Sequence, residues 1–370
     1  DLPGTAWGTA ASGDTNPSSI SGFNAGTEGA AIWTAEFGGA RNVFIGEVGT
    51  TTDGAPTAKS ASSFGNIRGL APEEPTKQGT YYSASVARYG LNHDVNAADG
   101  DQNVITYSIA LASPLPRIQF PVAGSTITLL PYAKTISGTF GDGTRKPTNT
   151  IVDFYVQRVA NMPGMTVDST INGGRPLAEF RINYEDVEQG NDHDMDAIVL
   201  YEIAETAQGK VQVRLTSEYA AGSANQNIGY VISGTTRDGI YLEVRDLDAP
   251  THAYENRDGN HPTTNAAYRN GYRPYDFNTP PGVNPGGCTN VNSAACGLLP
   301  TTATRTFDPG ASNSGEQLKD PLWYAAKFGG YRDGEDWDAD NDGDPDNYFL
   351  VTNPLSLREQ LSKAFDRISD

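Results

Sequence analysis

An alternating run of aspartates near the end of the chain has the residue types and spacing of a cation-binding loop. Its members surround Gly343 at alternate positions: Asp338, Asp340, Asp342, Asp344 and Asp346. An EF-hand-type loop has carboxylates at positions one, three, five and nine, a glycine at position six and a backbone carbonyl ligand at position seven. Because hard oxygen ligands in this order suit Ca²⁺, we predict a calcium site over 338–346.

The twelfth position of this loop departs from the pattern, since Phe349 replaces the usual bidentate glutamate. A closing ligand must therefore come from elsewhere, and the acidic residues just upstream are candidates: Asp333, Glu335 and Asp336. The segment 331–346 carries eight carboxylates against the single cation Arg332, and these carboxylates repel one another unless a cation joins them. A solvated acidic loop without metal is the alternative.

A second acidic segment has the same alternation without the glycine. It contains Asp192, Asp194 and Asp196, preceded by Glu185, Asp186 and Glu188. Alternate residues of an extended segment lie on one side, so these three aspartates could share a metal ion. A solvated loop between strands remains open as the other interpretation.

Catalytic motifs are absent from the sequence. No H-E-x-x-H, no G-x-S-x-G, no P-loop and no G-x-G-x-x-G after a strand is found. The four histidines show no ligand spacing: His93, His193, His252 and His261. A pair of glycosidase carboxylates stays open, because the distance between them is set by the fold. We predict that the chain is not an enzyme.

The only two cysteines, Cys288 and Cys296, lie in a loop rich in Gly, Asn, Ser and Pro. Two thiols without a nearby histidine make a poor zinc site, so a disulfide is favoured over two free thiols. Closing a nine-residue loop would restrain the unfolded chain by about 2.6 kcal/mol on the loop-entropy model.

Composition narrows the class of protein. The 370 residues carry a net charge of −19, which argues against nucleic acid and anionic membranes as partners and for divalent cations. The 41 glycines and 23 prolines favour a turn-rich, mostly β protein, and the length suffices for two domains. No run of about 20 apolar residues could span a bilayer. The chain begins at Asp1 without a signal peptide, which suggests a fragment or a processed product.

The beginning of the chain predicts a small α/β unit. Residues 1–40 read as irregular, 42–48 as a buried parallel strand, 80–91 as a helix and 102–112 as a second buried strand. Strand, helix and strand in this order indicate a βαβ unit with a parallel sheet.

The middle of the chain predicts a β-sandwich. Eight short strand candidates are separated by turn residues: 117–122, 126–134, 150–159, 177–183, 197–203, 210–215, 227–232 and 240–246. Thr235–Gly239 reads as the hairpin turn between the last two, and 249–302 as a long loop that holds the cysteines.

The end of the chain returns to α/β signals. Asp320 and Pro321 announce a helix that Gly329 and Gly330 should end, followed by a strand at 347–352 and a helix at 354–368. The fold class is therefore mainly β with an α/β region. The expected organisation is an irregular segment (1–40), a first α/β segment (41–112), an inserted β-sandwich with the disulfide loop (113–310) and a second α/β segment with the calcium loop (311–370).

Several motifs in one order carry a resemblance to a known family. They read KDPLWYAAKFGG, PDNYFLVTNP, RINYEDVEQGNDHDMDAIVLYE and GYVISGTTRDGIYLEVRD. With these the chain resembles the PilC/PilY family of type IV pilus proteins. The resemblance implies a von Willebrand A-type domain coupled to a β-propeller, placed at the pilus tip after export through the periplasm. It also implies roles in pilus biogenesis, adhesion and twitching motility, with calcium as regulator.

The resemblance also implies partners: minor and major pilins, the remaining portion of the same precursor, and a host or surface receptor. The α/β elements look like the closing half of a von Willebrand A-like (Rossmann-type) domain, into which the sandwich would be inserted. The sequence departs from the family pattern in two ways, which limits what the resemblance implies. The metal-adhesion motif D-x-S-x-S and any propeller repeat are missing. The alternative is a structural subunit of a cell-surface filament without receptor binding.

Overall fold

The computed structural model describes most of the chain and leaves several loops and both ends aside. The described residues are 20–49, 56–71, 79–111, 118–135, 149–186, 196–221, 226–247, 278–285, 288, 299–310, 315–351 and 357–369. Strands dominate, so the prediction of a mainly β fold with an α/β region is confirmed. Within these ranges no helix is both long and apolar enough to cross a bilayer.

Helix α1 spans Ala25–Phe37, although residues 1–40 were expected to be irregular. The Asn24 side chain accepts a hydrogen bond from the N–H of Thr27 at 2.9 Å, and Gly38 ends the helix with a φ of 70°. The expectation was wrong because small residues fill most of this helix, and among its buried residues only Ile32 and Trp33 are large and apolar.

Strands β1 (Arg41–Val48), β2 (Ala58–Ala61) and β3 (Ile67–Leu70) form a small sheet with β1 in the centre. Both neighbours pair antiparallel to β1, so the predicted parallel position of this strand was wrong. The apolar run of β1 indicates that both faces of the strand are buried. A central strand can be buried in this way whether its neighbours are parallel or antiparallel.

Helix α2 spans Tyr82–Asn92, close to the predicted 80–91. The predicted strand 102–112 is a strand only at β4, Ser108–Leu111. This strand pairs in parallel with β14, Tyr348–Val351, and not with β1, so the predicted βαβ unit is wrong. The two strands of that unit belong to different sheets.

The β-sandwich consists of a five-stranded and a four-stranded sheet, and it contains all eight predicted strands. The four-stranded sheet has the order β12-β11-β6-β5 and the five-stranded sheet the order β13-β10-β9-β8-β7. Their bounds are β5 Ile118–Val122, β6 Ser125–Thr135, β7 Asn149–Ala160, β8 Leu177–Asp186, β9 Ala197–Glu205, β10 Val211–Ala220, β11 Gln226–Ser233, β12 Gly239–Arg245 and β13 Thr302–Phe307.

Strand β13 was not predicted. Its sequence TATRTF offers one large apolar residue, Phe307, and therefore gives a weak strand signal. It pairs antiparallel with β10 and completes the five-stranded sheet.

The core of the sandwich lies between the inner faces of the two sheets. Fully buried aliphatic and aromatic side chains from both sheets fill it, with the hydroxyls of Tyr184 and Tyr201 2.6 Å apart and Tyr201 donating to the carbonyl of Gly229 at 2.7 Å. The outer face of the four-stranded sheet is buried as well, since Phe44 of β1 packs with Leu130 and Leu242 there. The sandwich and the α/β region thus share a continuous apolar contact.

Helix α3 spans Pro321–Gly330 and helix α4 spans Leu357–Ser369. Asp320 caps α3 as predicted, accepting from the N–H groups of Leu322 and Trp323. Gly329 and Gly330 do not stop α3 but form its last turn. They allow close packing, because a Cβ on Gly330 would lie 1.9 Å from Nδ2 of Asn347.

The α/β region is interrupted in sequence by the sandwich. Strands β5 to β13 lie between β4 and α3, yet β4 and β14 pair side by side. The relation of this region to a von Willebrand A-like domain stays a prediction.

Candidate metal centre

Three of the predicted calcium ligands converge in the structure. One carboxylate oxygen each of Asp338, Asp340 and Asp342 lie within 4.8 Å of one another, on a surface that is partly or fully exposed. These residues are the first, third and fifth positions of the predicted loop. Their oxygens are therefore near enough to share one small cation.

The loop folds around its own carboxylates. Asp338 accepts from the N–H of Asp342 at 2.9 Å and from the N–H of Gly343 at 3.1 Å, and Asp342 accepts from the N–H of Asp344 at 2.8 Å. Gly343 has a φ of 87°, a conformation that favours glycine, as the sixth position of an EF-hand-type loop requires.

The side chain of Asp344 faces the beginning of helix α3 and not the other carboxylates. Its Oδ1 accepts from Nζ of Lys319 and from Nε1 of Trp323, both at 2.8 Å. At the seventh position the prediction assigns the backbone carbonyl of Asp344, and not its side chain, to the cation.

A cleft of about 510 Å³ separates this loop from helix α4. Its acidic lining comes from the loop and from Asp366 of α4, and Gln360 and Lys363 of the same helix also face it. The remaining acidic residues of the lining are Asp340, Asp342, Asp344 and Asp346. Asp366 and Gln360 were missed at the sequence level, because only the packing of α4 brings them to the loop.

The three residues suggested as closing ligands do not line the cleft. Glu335 accepts a hydrogen bond from the N–H of Arg332 at 2.8 Å, and Asp336 accepts one from the N–H of Asp338 at 3.3 Å. No carboxylate stands at Phe349, which is buried. Among the described residues, Asp366 is the additional carboxylate that reaches the cleft.

Two side chains fix the end of the loop to helix α3 and to the segment before β4. Asn347 donates to the carbonyls of Thr106 at 2.6 Å and Ala326 at 2.8 Å. Tyr348 donates its hydroxyl to Asp320, and burial together with this bond raises the pKa of Tyr348. These bonds therefore attach the end of the loop to helix α3 and to the segment before β4.

The beginning of the loop is fixed by aromatic packing. Trp337 contacts Trp323 edge to face at 5.8 Å, and Nζ of Lys327 lies 3.8 Å above the Trp337 ring. Lys327 is also paired with Glu36 of α1 at 2.7 Å. The start of the acidic loop is thereby linked to two helices.

Comparison with known proteins gives two family models and one curated relative. The model described as "PilY1 homolog, second domain" matches residues 1–90, and the model described as "PilY1 homolog, beta-sandwich" matches residues 120–300. A type IV pilus biogenesis factor PilY1 homolog from Xylella fastidiosa (strain Temecula1 / ATCC 700964) is 49% identical over 375 residues, which cover 99% of this chain. The chain belongs to the PilY1 family.

The predicted resemblance is thus confirmed, and the PilY1 β-sandwich model over 120–300 covers strands β6 to β12 and part of β5, but not β13. The chain spans 24% of the length of the Xylella relative. No solved structure matches the chain. The name of the relative is that of a biogenesis factor and not that of an enzyme.

Other predicted sites of this PilY1-family chain are described only in part. Asp192 and Asp194 lie outside the described residues, and Asp196 is buried next to the start of β9. Cys288 is fully buried, whereas Cys296 lies outside the described residues. A metal site at 192–196 and a bridge between the cysteines both stay predictions.

Proposed function

We propose that this chain is a calcium-binding, non-enzymatic portion of a pilus-associated adhesin and assembly factor. The proposal rests on one observation: the carboxylates of Asp338, Asp340 and Asp342 converge within 4.8 Å in the order of an EF-hand-type loop. Asp346 and the carbonyl of Asp344 would complete the loop ligands, with Asp366 as the closing carboxylate. Calcium would hold α4 and the loop together across their shared cleft.

The fit of the loop to calcium is supported by the chemistry of its donors. All are oxygens, which suit Ca²⁺ and Mg²⁺ and not soft metals. The cleft between the loop and α4 is open to solvent and has room for water ligands in addition to the carboxylates. Calcium would relieve the repulsion between aspartates that the backbone N–H groups only partly offset.

Calorimetric titration tests the site. Ca²⁺ should bind the native chain with a stoichiometry of one, and Asp340→Ala with Asp342→Ala should remove the binding heat. Asp366→Asn should weaken binding without abolishing it, since it removes one ligand of several. Binding that persists in the double variant would place the calcium site elsewhere.

Family membership supports the proposed role in the pilus. The Xylella relative is named as a biogenesis factor of type IV pili. For this chain we propose the same process, with a surface location at the pilus tip, minor and major pilins as partners, and adhesion and twitching motility as consequences. A host or surface receptor would be a further partner, and calcium would regulate its engagement.

One experiment distinguishes the proposed adhesin function from a purely structural role in the filament. Cells whose protein carries Asp340→Ala with Asp342→Ala are compared with wild-type cells for pilus number and for surface attachment. The proposal predicts normal pilus number with reduced attachment. Unchanged attachment together with fewer pili would indicate a structural role without receptor binding.

A further inference from the structure

Strands β4 and β14 form a parallel sheet of only two strands among the described residues, which is an unusual arrangement. Parallel strands are normally buried on both faces and lie within larger sheets. Here β14 is the only neighbour of β4 among the described residues. The question is therefore what pairs with the other edge of β4 and what covers the exposed face of the two strands.

One face of β4 is covered and the other is not. Ser108 and Ala110 are buried, and Ala110 joins the core around helix α3. Ile109 and Leu111 point to the opposite face, where they are 38% and 74% exposed. On that face their partners in β14, Phe349 and Val351, are buried, and α4 packs against β14.

The same two residues, Ile109 and Leu111, direct their backbone N–H groups to the edge of β4 that has no neighbour among the described residues. Ser108 donates its N–H to the carbonyl of Asn347 at 3.0 Å, towards β14. Successive N–H groups of a strand point to opposite edges, so those of Ile109 and Leu111 point away from β14. The exposed aliphatic stripe continues upstream through Ile105, which is 58% exposed. Among the described residues no strand pairs with these two N–H groups, and a further strand would satisfy both of them beside the exposed apolar side chains.

The short length of β4 favours a strand of the same polypeptide over a strand of a separate chain as its partner. A four-residue edge offers few hydrogen bonds, and these do not offset the loss of freedom when two separate chains associate. A strand of the same polypeptide does not have this cost, because its effective concentration is high. The chain spans 24% of its Xylella relative, whose polypeptide therefore has ample length outside the matched region.

We propose that β4 pairs at its open edge with an extended apolar strand from another region of the same, longer polypeptide, which also covers Ile109 and Leu111. The α/β region then continues as a larger sheet beyond β4.

Hydrogen–deuterium exchange tests this pairing. The 370-residue chain is compared with the protein expressed from its full reading frame, and exchange is followed over 104–111. The amides of Ile109 and Leu111 should exchange at least about tenfold more slowly in the full protein. Equal exchange in both, or a reading frame that encodes no further strand, overturns the proposal.

A variant and its control separate this pairing from a second copy. Leu111→Asp should restore fast exchange at β4 in the full protein, whereas Leu247→Asp, at another exposed leucine after β12, should not. In the 370-residue chain neither change should alter exchange at β4. Protection of β4 in that chain that rises with concentration, together with a dimer mass by light scattering, would assign the edge to a second copy and overturn the proposal.

Discussion

The indole N–H of Trp323 donates to the carboxylate of Asp344 at 2.8 Å. Trp323 is buried in the core of the α/β region, and Asp344 is the seventh residue of the acidic loop. The bond turns the Asp344 side chain away from the converging carboxylates. It joins the candidate calcium site directly to the hydrophobic core.

Asp344→Ala should destabilise the protein more than it weakens calcium binding. The buried indole N–H would lose its acceptor, which costs about 1–3 kcal/mol of the free energy of unfolding. The backbone carbonyl at position 344 would remain, so calcium affinity should fall less than in Asp340→Ala. Denaturant unfolding and calorimetry measure the two effects.

Asp344→Asn is the matched control, because an amide oxygen can still accept from Trp323. Its free energy of unfolding should stay close to that of the wild type. Equal losses in the alanine and asparagine variants would contradict the role given to this bond.

Gly330→Ala should disrupt the junction of α3 with the end of the loop. A Cβ at this position would meet Nδ2 of Asn347 at 1.9 Å and displace a side chain that bonds two backbone carbonyls. A loss of about 1–3 kcal/mol in the free energy of unfolding is expected. Gly39→Ala is the control, since nothing lies near its Cβ. Identical melting temperatures for the two variants would refute the packing role.

Glu243 should make the stability of the sandwich depend on pH. Burial raises the pKa of this carboxyl, while Arg305 and Tyr230 counteract the shift. The folded chain thus holds this proton more tightly than the unfolded chain, and the stabilisation is lost as pH rises from the ordinary value of 4.5 through the folded pKa.

Glu243→Gln removes this titration and provides the comparison. The free energy of unfolding of the wild type, minus that of the variant, should fall as pH increases from 4.5 towards neutrality. Urea unfolding across this range measures the difference. A difference that grows with pH would mean that the ion pair with Arg305 outweighs burial.

The two cysteines should form one bridge. The native chain is expected to be lighter than its reduced form by two hydrogen atoms and to contain no thiol that alkylates before reduction. Cys288→Ser should then lower the free energy of unfolding by about 2–3 kcal/mol. Two alkylatable thiols in native, unreduced protein would exclude the bridge.

The sandwich was predictable because its strands carry strong local signals. In β10, Val211, Val213 and Leu215 alternate with polar residues, and all three are buried. Turn residues mark the strand ends, as at Thr235–Gly239, so the eight strands were located within a few residues. Strand β13 lacks such a signal, since its place depends on pairing with distant β10.

The α/β region was less predictable because its arrangement depends on long-range contacts. The apolar run of β1 indicated burial but not direction, and the direction is set by β2 and β3. The acidic loop was found from spacing alone, whereas Asp366 reaches the same cleft only through the packing of α4. Local patterns locate a loop, whereas the residues that face it from elsewhere in the chain depend on the tertiary fold.

Thermal unfolding with calcium and with chelator tests the calcium site most directly. The wild-type chain should melt several degrees higher with Ca²⁺, since a hundredfold excess over Kd contributes about 2.7 kcal/mol. Asp340→Ala with Asp342→Ala should show no such difference between calcium and chelator. Asp99→Ala with Asp101→Ala, in another exposed acidic loop, should keep the full response. A wild-type melting temperature that is the same in calcium and in chelator would contradict the proposed calcium site.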